Sequence, residues 1–403
     1  MAKKLTSVLG IDIGSRTIKF CEVRKQGNEP MITALGMVDT PEGAVDHQGV
    51  YNGEAVAAVL KSALSGAGAS VGQAVVSIAG QSAVLVRTLE VPKMNAQELK
   101  EHMAWEINRN IPFAESTVVS DFKPLGDDDP NSPNMDVVMA IAPQSAIDTM
   151  IDLVKRAGKA PVAIDVEPLS MARSLQSSYA DELSNKTVCF VDLGATTCAI
   201  NIYYGSKLIM PRQIPLGGDL ITKAIADVRV LPLAEAEAVK RNELRIPDDA
   251  AQLFAAPVNP FDTPGVPTQE FSPFDPFNSP AETPINPFAD DAPAASPVAA
   301  PAIDPLVSAA MPIINDLVDE IRRSVDFFRS RGGNVDVVVL AGGGAKIPGL
   351  AGYIANTIGV PCDAYDPLRR LNVNARKVAP DFVDAHRQEF TVAVGNGLHI
   401  FFE

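Results

Sequence analysis

Two stretches of this chain repeat one arrangement of carboxylate, glycine and small hydroxyl residues. Val8-Leu-Gly-Ile-Asp12-Ile-Gly14-Ser15-Arg16-Thr17-Ile-Lys19-Phe aligns without gaps on Val188-Cys-Phe-Val-Asp192-Leu-Gly194-Ala-Thr196-Thr197-Cys-Ala-Ile. Each copy reads as an apolar strand, a tight Asp-x-Gly turn and a second strand. Glycine lets the backbone turn sharply and brings successive N–H groups close to an anion. Ser15, Arg16, Thr17, Thr196 and Thr197 offer further donors toward phosphate oxygens. Asp12 and Asp192, facing each other, suit a hydrated Mg²⁺, a hard cation that takes carboxylates together with phosphates. One such hairpin alone reads as an ordinary turn; two in register read as one divided site. A third cluster, Ala341-Gly342-Gly343-Gly344-Ala345-Lys346, follows the apolar run Val335–Leu340. Consecutive glycines after a strand leave room for a flat ring against the backbone, although alone they read as a flexible loop.

The elements that must position these residues follow from the spacing. Asp12 and Asp192 lie nearly half a chain apart, which indicates two related domains and not a short-period solenoid. A length of 403 residues with 46% apolar and 21% charged residues allows two to four ordinary cores. The net charge of −15 argues against nucleic acid or anionic lipid as a general partner. Cys21, Cys189, Cys198 and Cys362 are scattered, without metal-ligand spacing, and read as small buried residues. Neither a signal peptide nor a run of ~20 apolar residues is present, so a soluble cytosolic chain is expected.

Between the hairpins, 84–92 alternates like a strand. Asn95 and Glu98 form a capping box, and Leu99, Met103, Ile107 and Ile111 continue an apolar stripe that Pro112 ends. Two strands over 117–125 and 135–142 and a helix over 144–157 follow. Trp105 is expected in core packing. Further on, Glu237, Lys240 and Arg241 share a helical face, either as ligand contacts or as a solvated ion pair. Residues 247–305 lack periodicity and are rich in proline, so disorder is expected there. Pro-Phe pairs ending at Phe261, Phe274, Phe277 and Phe288 could be docking motifs or a tolerated surface insertion.

Taken together, the three glycine turns resemble the actin, sugar-kinase and heat-shock ATPase superfamily over nearly the whole chain. That resemblance implies an α/β, actin-like two-domain fold of duplicated RNase H-like domains, with ATP and Mg²⁺ as ligands. It makes residues 10–19, Lys19 included, and 191–197 the phosphate loops and 340–344 the adenosine loop, with Lys346 beside it. Gly217 and Gly218 become a ribose- and phosphate-facing turn, Glu237, Lys240 and Arg241 ribose and adenine contacts, and 391–398 a connecting helix. Asp12 and Asp192 hold the metal through water. Glu167 is placed like a water-orienting residue, although it could equally cap its helix, and weak or no ATPase activity is expected.

The segment VRTLEVP…ELKEHMAWEINRNIPF…VVSDFKPL closely resembles the strand–helix–strand–strand (SHS2-like) module of the type IV pilus assembly protein PilM family, a variant of which occurs in FtsA. The implied division is 1–83 with 160–187 and 392–403 (first domain), 84–159 (inserted module), 188–215 with 330–391 (second domain), and 216–329 (smaller subdomain). The implied partner is the N-terminal tail of a PilN-like inner-membrane protein, seated between the first domain and the module, so membrane association is indirect. Pilus motor ATPases are further candidate partners, and oligomer formation stays open. FtsA-like chains end in a membrane helix and GspL-like chains continue into a transmembrane helix, whereas this sequence closes at 399–403. An FtsA-like division scaffold and a sugar-kinase-type phosphotransferase are the alternatives.

Overall fold

A computed structural model describes residues 5–80, 82–113, 117–126, 132–247, 250 and 304–402. The first sheet runs, edge to edge, through Asn372–Val373, Glu29–Asp39, Thr17–Gln26, Ser7–Ile13, Gln73–Ile78 and Ala160–Val166. Its central strand β1 (Ser7–Ile13) pairs antiparallel with β2 (Thr17–Gln26) and parallel with β4 (Gln73–Ile78). Val8, Leu9, Ile11 and Ile13 of β1 are buried, as in a strand covered on both faces. β3 (Glu29–Asp39) and β8 (Ala160–Val166) extend the sheet on either side. Helix α1 (Gly53–Ala67) and a later helix, Gln144–Arg156, bury Leu60, Leu64, Leu153 and Val154 against it. Asn52 caps α1 by accepting from Ala55 N at 3.0 Å, and Gly68 ends it at φ 72°.

The second sheet repeats the plan. β9 (Thr187–Leu193) lies between antiparallel β10 (Cys198–Tyr204) and parallel β13 (Val337–Ala341), as β1 lies between β2 and β4. This doubled α/β unit is the two-domain plan expected from the repeat and the actin-like fold that the resemblance implies.

The third sheet, order β5-β7-β6, comprises β5 (Leu85–Pro92), β6 (Val118–Pro124) and β7 (Asn134–Pro143). Helix α2 (Ala96–Arg109) covers it with Leu99, Met103 and Ile107, and the Asn95/Glu98 capping box is formed. Trp105 departs from expectation, being 55% exposed. Two residues beyond Met103 is about 200° around a helix, so the ring points away from the sheet. There it lies under the Arg109 guanidinium, 4.5 Å from the ring centre.

Two of the expected divisions also differ from the observed packing. Residues 330–391 were assigned to the second domain, yet β15 (Asn372–Val373) pairs with Met31–Ile32 of the first sheet. Leu368, Leu371 and Phe390 pack there against Cys21, Val23 and Leu35. Nor do the helices of 216–329 form a core of their own. Ile221, Ala236, Met311 and Ile314 share one core with Val191, Ile200 and Val338 of the second sheet. The disorder expected over 247–305, with its Pro-Phe motifs, lies outside the described residues apart from Pro247, Ala250, Asp304 and Pro305. Asp304 caps the helix Pro305–Ser330 by accepting from Leu306 N at 2.8 Å. Among the described residues no helix is long and apolar enough to cross a membrane.

Candidate functional site between the two hairpins

Both Asp-x-Gly turns close by the same bond: Gly14 N donates to Thr17 O at 3.1 Å and Gly194 N to Thr197 O at 3.0 Å. A Cβ on Gly14 would meet Thr17 O at 2.8 Å, and one on Gly194 would meet Thr197 O at 3.0 Å. The turn therefore has no room for a side chain at that position. Strand register places Asp12 opposite Lys19 and Asp192 opposite Ala199. The Lys19 ammonium reaches Asp12 Oδ2 at 3.1 Å.

The two turns meet across one cavity of ≈ 320 Å³, within the roughly 300–1,000 Å³ usual for small-molecule sites. The hydroxyl of Thr196 donates to Ser15 Oγ at 2.9 Å, joining the two tips. Arg16 reaches over to the second lobe, where its guanidinium pairs with Asp219 and lies 4.0 Å from Glu237. Asp219 sits in the first turn of helix Gly218–Arg229. The backbone N–H groups of Gly218 and Asp219 are themselves taken by Gly194 O and Ala195 O, at 2.9 and 2.8 Å.

The third glycine turn follows β13, whose last residue Ala341 stands opposite Asp192. Gly342 has φ 79°, and a Cβ there would lie 2.3 Å from Asp192 Oδ1. Glycine is thus demanded by the neighbouring hairpin as well as by its own backbone. Gly344 is similarly tight, 2.2 Å from Leu193 Cδ2. Lys346 pairs with Glu389, which also contacts His386 Nδ1 at 2.8 Å.

On helix Leu233–Asn242, Glu237 is held from three sides. Thr222 Oγ1 donates to it at 2.6 Å, Lys240 pairs at 2.7 Å and Arg241 Nε donates at 2.8 Å. Burial would raise its pKa, but the Lys240 charge and these hydrogen bonds hold the carboxyl down, to about 2. The deeper carboxyls behave oppositely. Burial pushes Asp192 up to about 7, with Asp12 and Glu389 adding to the effect and Lys19 opposing it. Burial and the charges of Asp12 and Asp192 push Glu167 up to about 8. Lys19 is held above its usual range: burial disfavours its charge, but Asp12, Glu389 and Asp192 outweigh that. Burial and mutual repulsion thus disfavour the charged forms of Asp192 and Glu167 on the site floor.

Of the residues singled out in sequence, Asp12, Gly14, Ser15, Arg16, Thr17, Lys19, Glu167, Asp192, Gly194 and Thr197 line this cavity, as do Gly218, Glu237, Lys240, Arg241, Gly342, Gly343, Gly344 and Lys346. Thr196 and Gly217 do not; Thr196 joins the hairpin tips, and Gly217 backs the second turn, where a Cβ would be 2.2 Å from Ala195 O. Asp219 and Glu389 line the cavity without having been singled out. An acidic residue in a helix's first turn could have marked Asp219. Glu389 stands in a short 3₁₀ turn with no motif around it.

Duplicated α/β lobes whose Asp-x-Gly hairpins face one another define an actin-like protein. Comparison with known proteins narrows this further. The profile of the type IV pilus assembly protein PilM family matches residues 10–262 and 307–401, and the chain belongs to that family. A solved chain from a PilM–PilN type IV pilus biogenesis complex is 26% identical, with 99% of each chain covered and a TM-score of 0.75. The ethanolamine utilization protein EutJ of Carboxydothermus hydrogenoformans shares the fold at 12% identity and a TM-score of 0.51, with 98% of this chain and 91% of its own covered.

Proposed function

We propose that this type IV pilus assembly protein binds ATP with a hydrated Mg²⁺ between its two lobes, and that nucleotide state biases how it engages the N-terminal tail of a PilN-like inner-membrane protein. The observation that carries the nucleotide reading is the meeting of both hairpins and the Gly342–Lys346 turn around one cavity. Ser15, Thr17, Lys19 and Thr197 would take phosphate oxygens, the glycine turn the adenine ring, and Glu237 with Lys240 and Arg241 the ribose side. Among the described residues no three acidic or metal-ligating side chains form a cage of their own. A pair of carboxylates completed by water and phosphate suits Mg²⁺, and a bound cation would favour the charged forms of Asp192 and Glu167 that burial disfavours. Bound Mg²⁺ would supply charge neutralisation for the phosphates.

Binding, with slow turnover, is the proposed role. Glu167 would orient water in that reading, and burial with the charges of Asp12 and Asp192 pushes its carboxyl up to about 8, so it would need the bound cation to serve as a proton acceptor. The PilN reading is supported by the 26%-identical chain solved in a PilM–PilN complex. A second cavity of ≈ 330 Å³ lies among Ile78, Val84 and Arg87 on one side and Asn201 and Arg212 on the other, and it shares Glu167 with the first. Attachment to the cytoplasmic side of the inner membrane through that partner completes the reading.

Equilibrium binding tests the first part: Mg-ATP should bind the unaltered chain, and Asp12→Asn or Asp192→Asn should weaken it at least ~10-fold, as lost charge-assisted contacts do. Wild-type affinity in both variants would defeat it. Affinity for the PilN-like peptide that is the same with ATP, ADP and no nucleotide would defeat the coupling.

A further inference from the structure

Arg16 is the one cation of the first hairpin's tip, and its side chain is 36% exposed at the cavity mouth. Asp219, its partner across the cleft, is 38% exposed. The guanidinium bonds Asp219 Oδ1 through Nε at 3.2 Å and also through Nη2, while Glu237 stands 4.0 Å away. Glu237 is already engaged by Thr222, Lys240 and Arg241. Arg16 therefore holds the two lobes together chiefly through one half-exposed carboxylate. Half-exposed pairs shift an equilibrium only a few-fold. A phosphate group carries more negative charge and takes a guanidinium bidentately, forming the stronger pair.

We propose that Arg16 distinguishes ATP from ADP by exchanging its bond to Asp219 for one to the terminal phosphate. This rests on the nucleotide reading above and adds a competitor to it: Asp219 would act against ATP binding even though it lines the site. The exchange also gives the nucleotide a lever on lobe contact, since the contact released joins residue 16 of one lobe to residue 219 of the other.

The experiment is a double-mutant cycle read by equilibrium binding of Mg-ATP and Mg-ADP to the full chain. Asp219→Asn should tighten ATP by roughly two- to fivefold and ADP by less, the range of a half-exposed pair. Arg16→Gln should weaken ATP roughly tenfold and leave ADP within about twofold, and Arg16→Lys should recover part of the loss. In the Arg16→Gln background, Asp219→Asn should bring no gain. The proposal is overturned by an Asp219→Asn variant with unchanged or weaker ATP affinity. It is equally overturned if the gain persists without Arg16, which would mark a general field effect, or if Arg16→Gln weakens both nucleotides alike. An unaltered chain that binds neither nucleotide defeats the nucleotide reading, and this one with it.

Discussion

The carboxamide of Asn396 donates a 2.8 Å hydrogen bond to the carbonyl of Ile11, the residue before Asp12. Its oxygen accepts from Ser77 at 2.9 Å and Ser170 at 2.6 Å, and the residue is fully buried. The helix Thr391–Gly397 is thereby fastened to the end of β1 that carries the first hairpin. Gly10 and Gly395 allow this closeness: a Cβ on Gly10 would lie 2.1 Å from Ala393 O, and one on Gly395 1.9 Å from Ser170 O. Asn396→Ala strands several buried polar groups, so a loss of about 2–3 kcal/mol is expected. Urea unfolding checks this; a loss below ~0.5 kcal/mol, the scale of a neutral surface change, would show the network to be idle.

Gly342 and Gly343 make a matched pair. Gly342→Ala forces a Cβ into Asp192 and Leu193 at a left-handed backbone angle, and about 2–4 kcal/mol of destabilisation is expected. At Gly343 the nearest atom to a Cβ is 3.8 Å away, so Gly343→Ala should stay within ~0.5 kcal/mol. Thermal melting of the two variants reads the difference, and equal losses would contradict the geometry.

The raised carboxyls at the site floor have a pH signature. Asp192 and Glu167, at about 7 and about 8, bind protons more tightly folded than unfolded. The stability they contribute is complete below the ordinary carboxylate range near ~4 and is lost as pH rises through 7 and 8. Glu237, held to about 2, acts in the opposite sense, but its change is over once pH exceeds that same ordinary range. In metal-free buffer, stability should therefore fall from about pH 5 to 8, and Glu167→Gln should flatten the decline. Stability rising across this interval would reverse the sign of the assignment.

Trp105 and Met103 stand two residues apart on opposite sides of one helix, at 55% and 0% exposure. Trp105→Ala should change stability by less than ~1 kcal/mol, against about 2–5 kcal/mol for Met103→Ala. Comparable losses would place the tryptophan in the core after all.

Ile246 and Ala250 share a core with Leu306 and Val307, so the described residues on either side of 251–303 meet in one packed region. Replacing 251–303 with a short Gly/Ser linker should leave ATP affinity within about twofold, because loop-closure entropy changes slowly with length. A large loss would make the segment part of the site.

The repeat made much of the site legible. Asp-x-Gly turns, glycine runs and capping boxes act over a few residues, where steric rules leave little choice. Hence the two Asp-x-Gly turns and the Asn95 cap are readable from spacing alone, whereas the Gly342 turn needs the family resemblance. Long-range partnerships were not. Nothing near Glu389 says that it would meet Lys346 and face Lys19, and nothing near Arg16 names Asp219. Trp105 was misplaced because composition says that tryptophan is apolar, whereas only the helix phase relative to the sheet says which way it points. The 330–391 boundary erred for a related reason: a two-residue strand carries too little pattern to announce its sheet.

Sequence by itself determined two hairpins, their shared residue pattern, the strand–helix–strand–strand order between them and the family, since these are written in local order. Tertiary structure alone decided that the hairpin tips touch through Ser15 and Thr196, that Arg16 is held by the opposite lobe, and that burial raises the Asp192 and Glu167 carboxyls. These are effects of burial and distance between residues up to some two hundred positions apart, and through-space fields leave no trace in chain order.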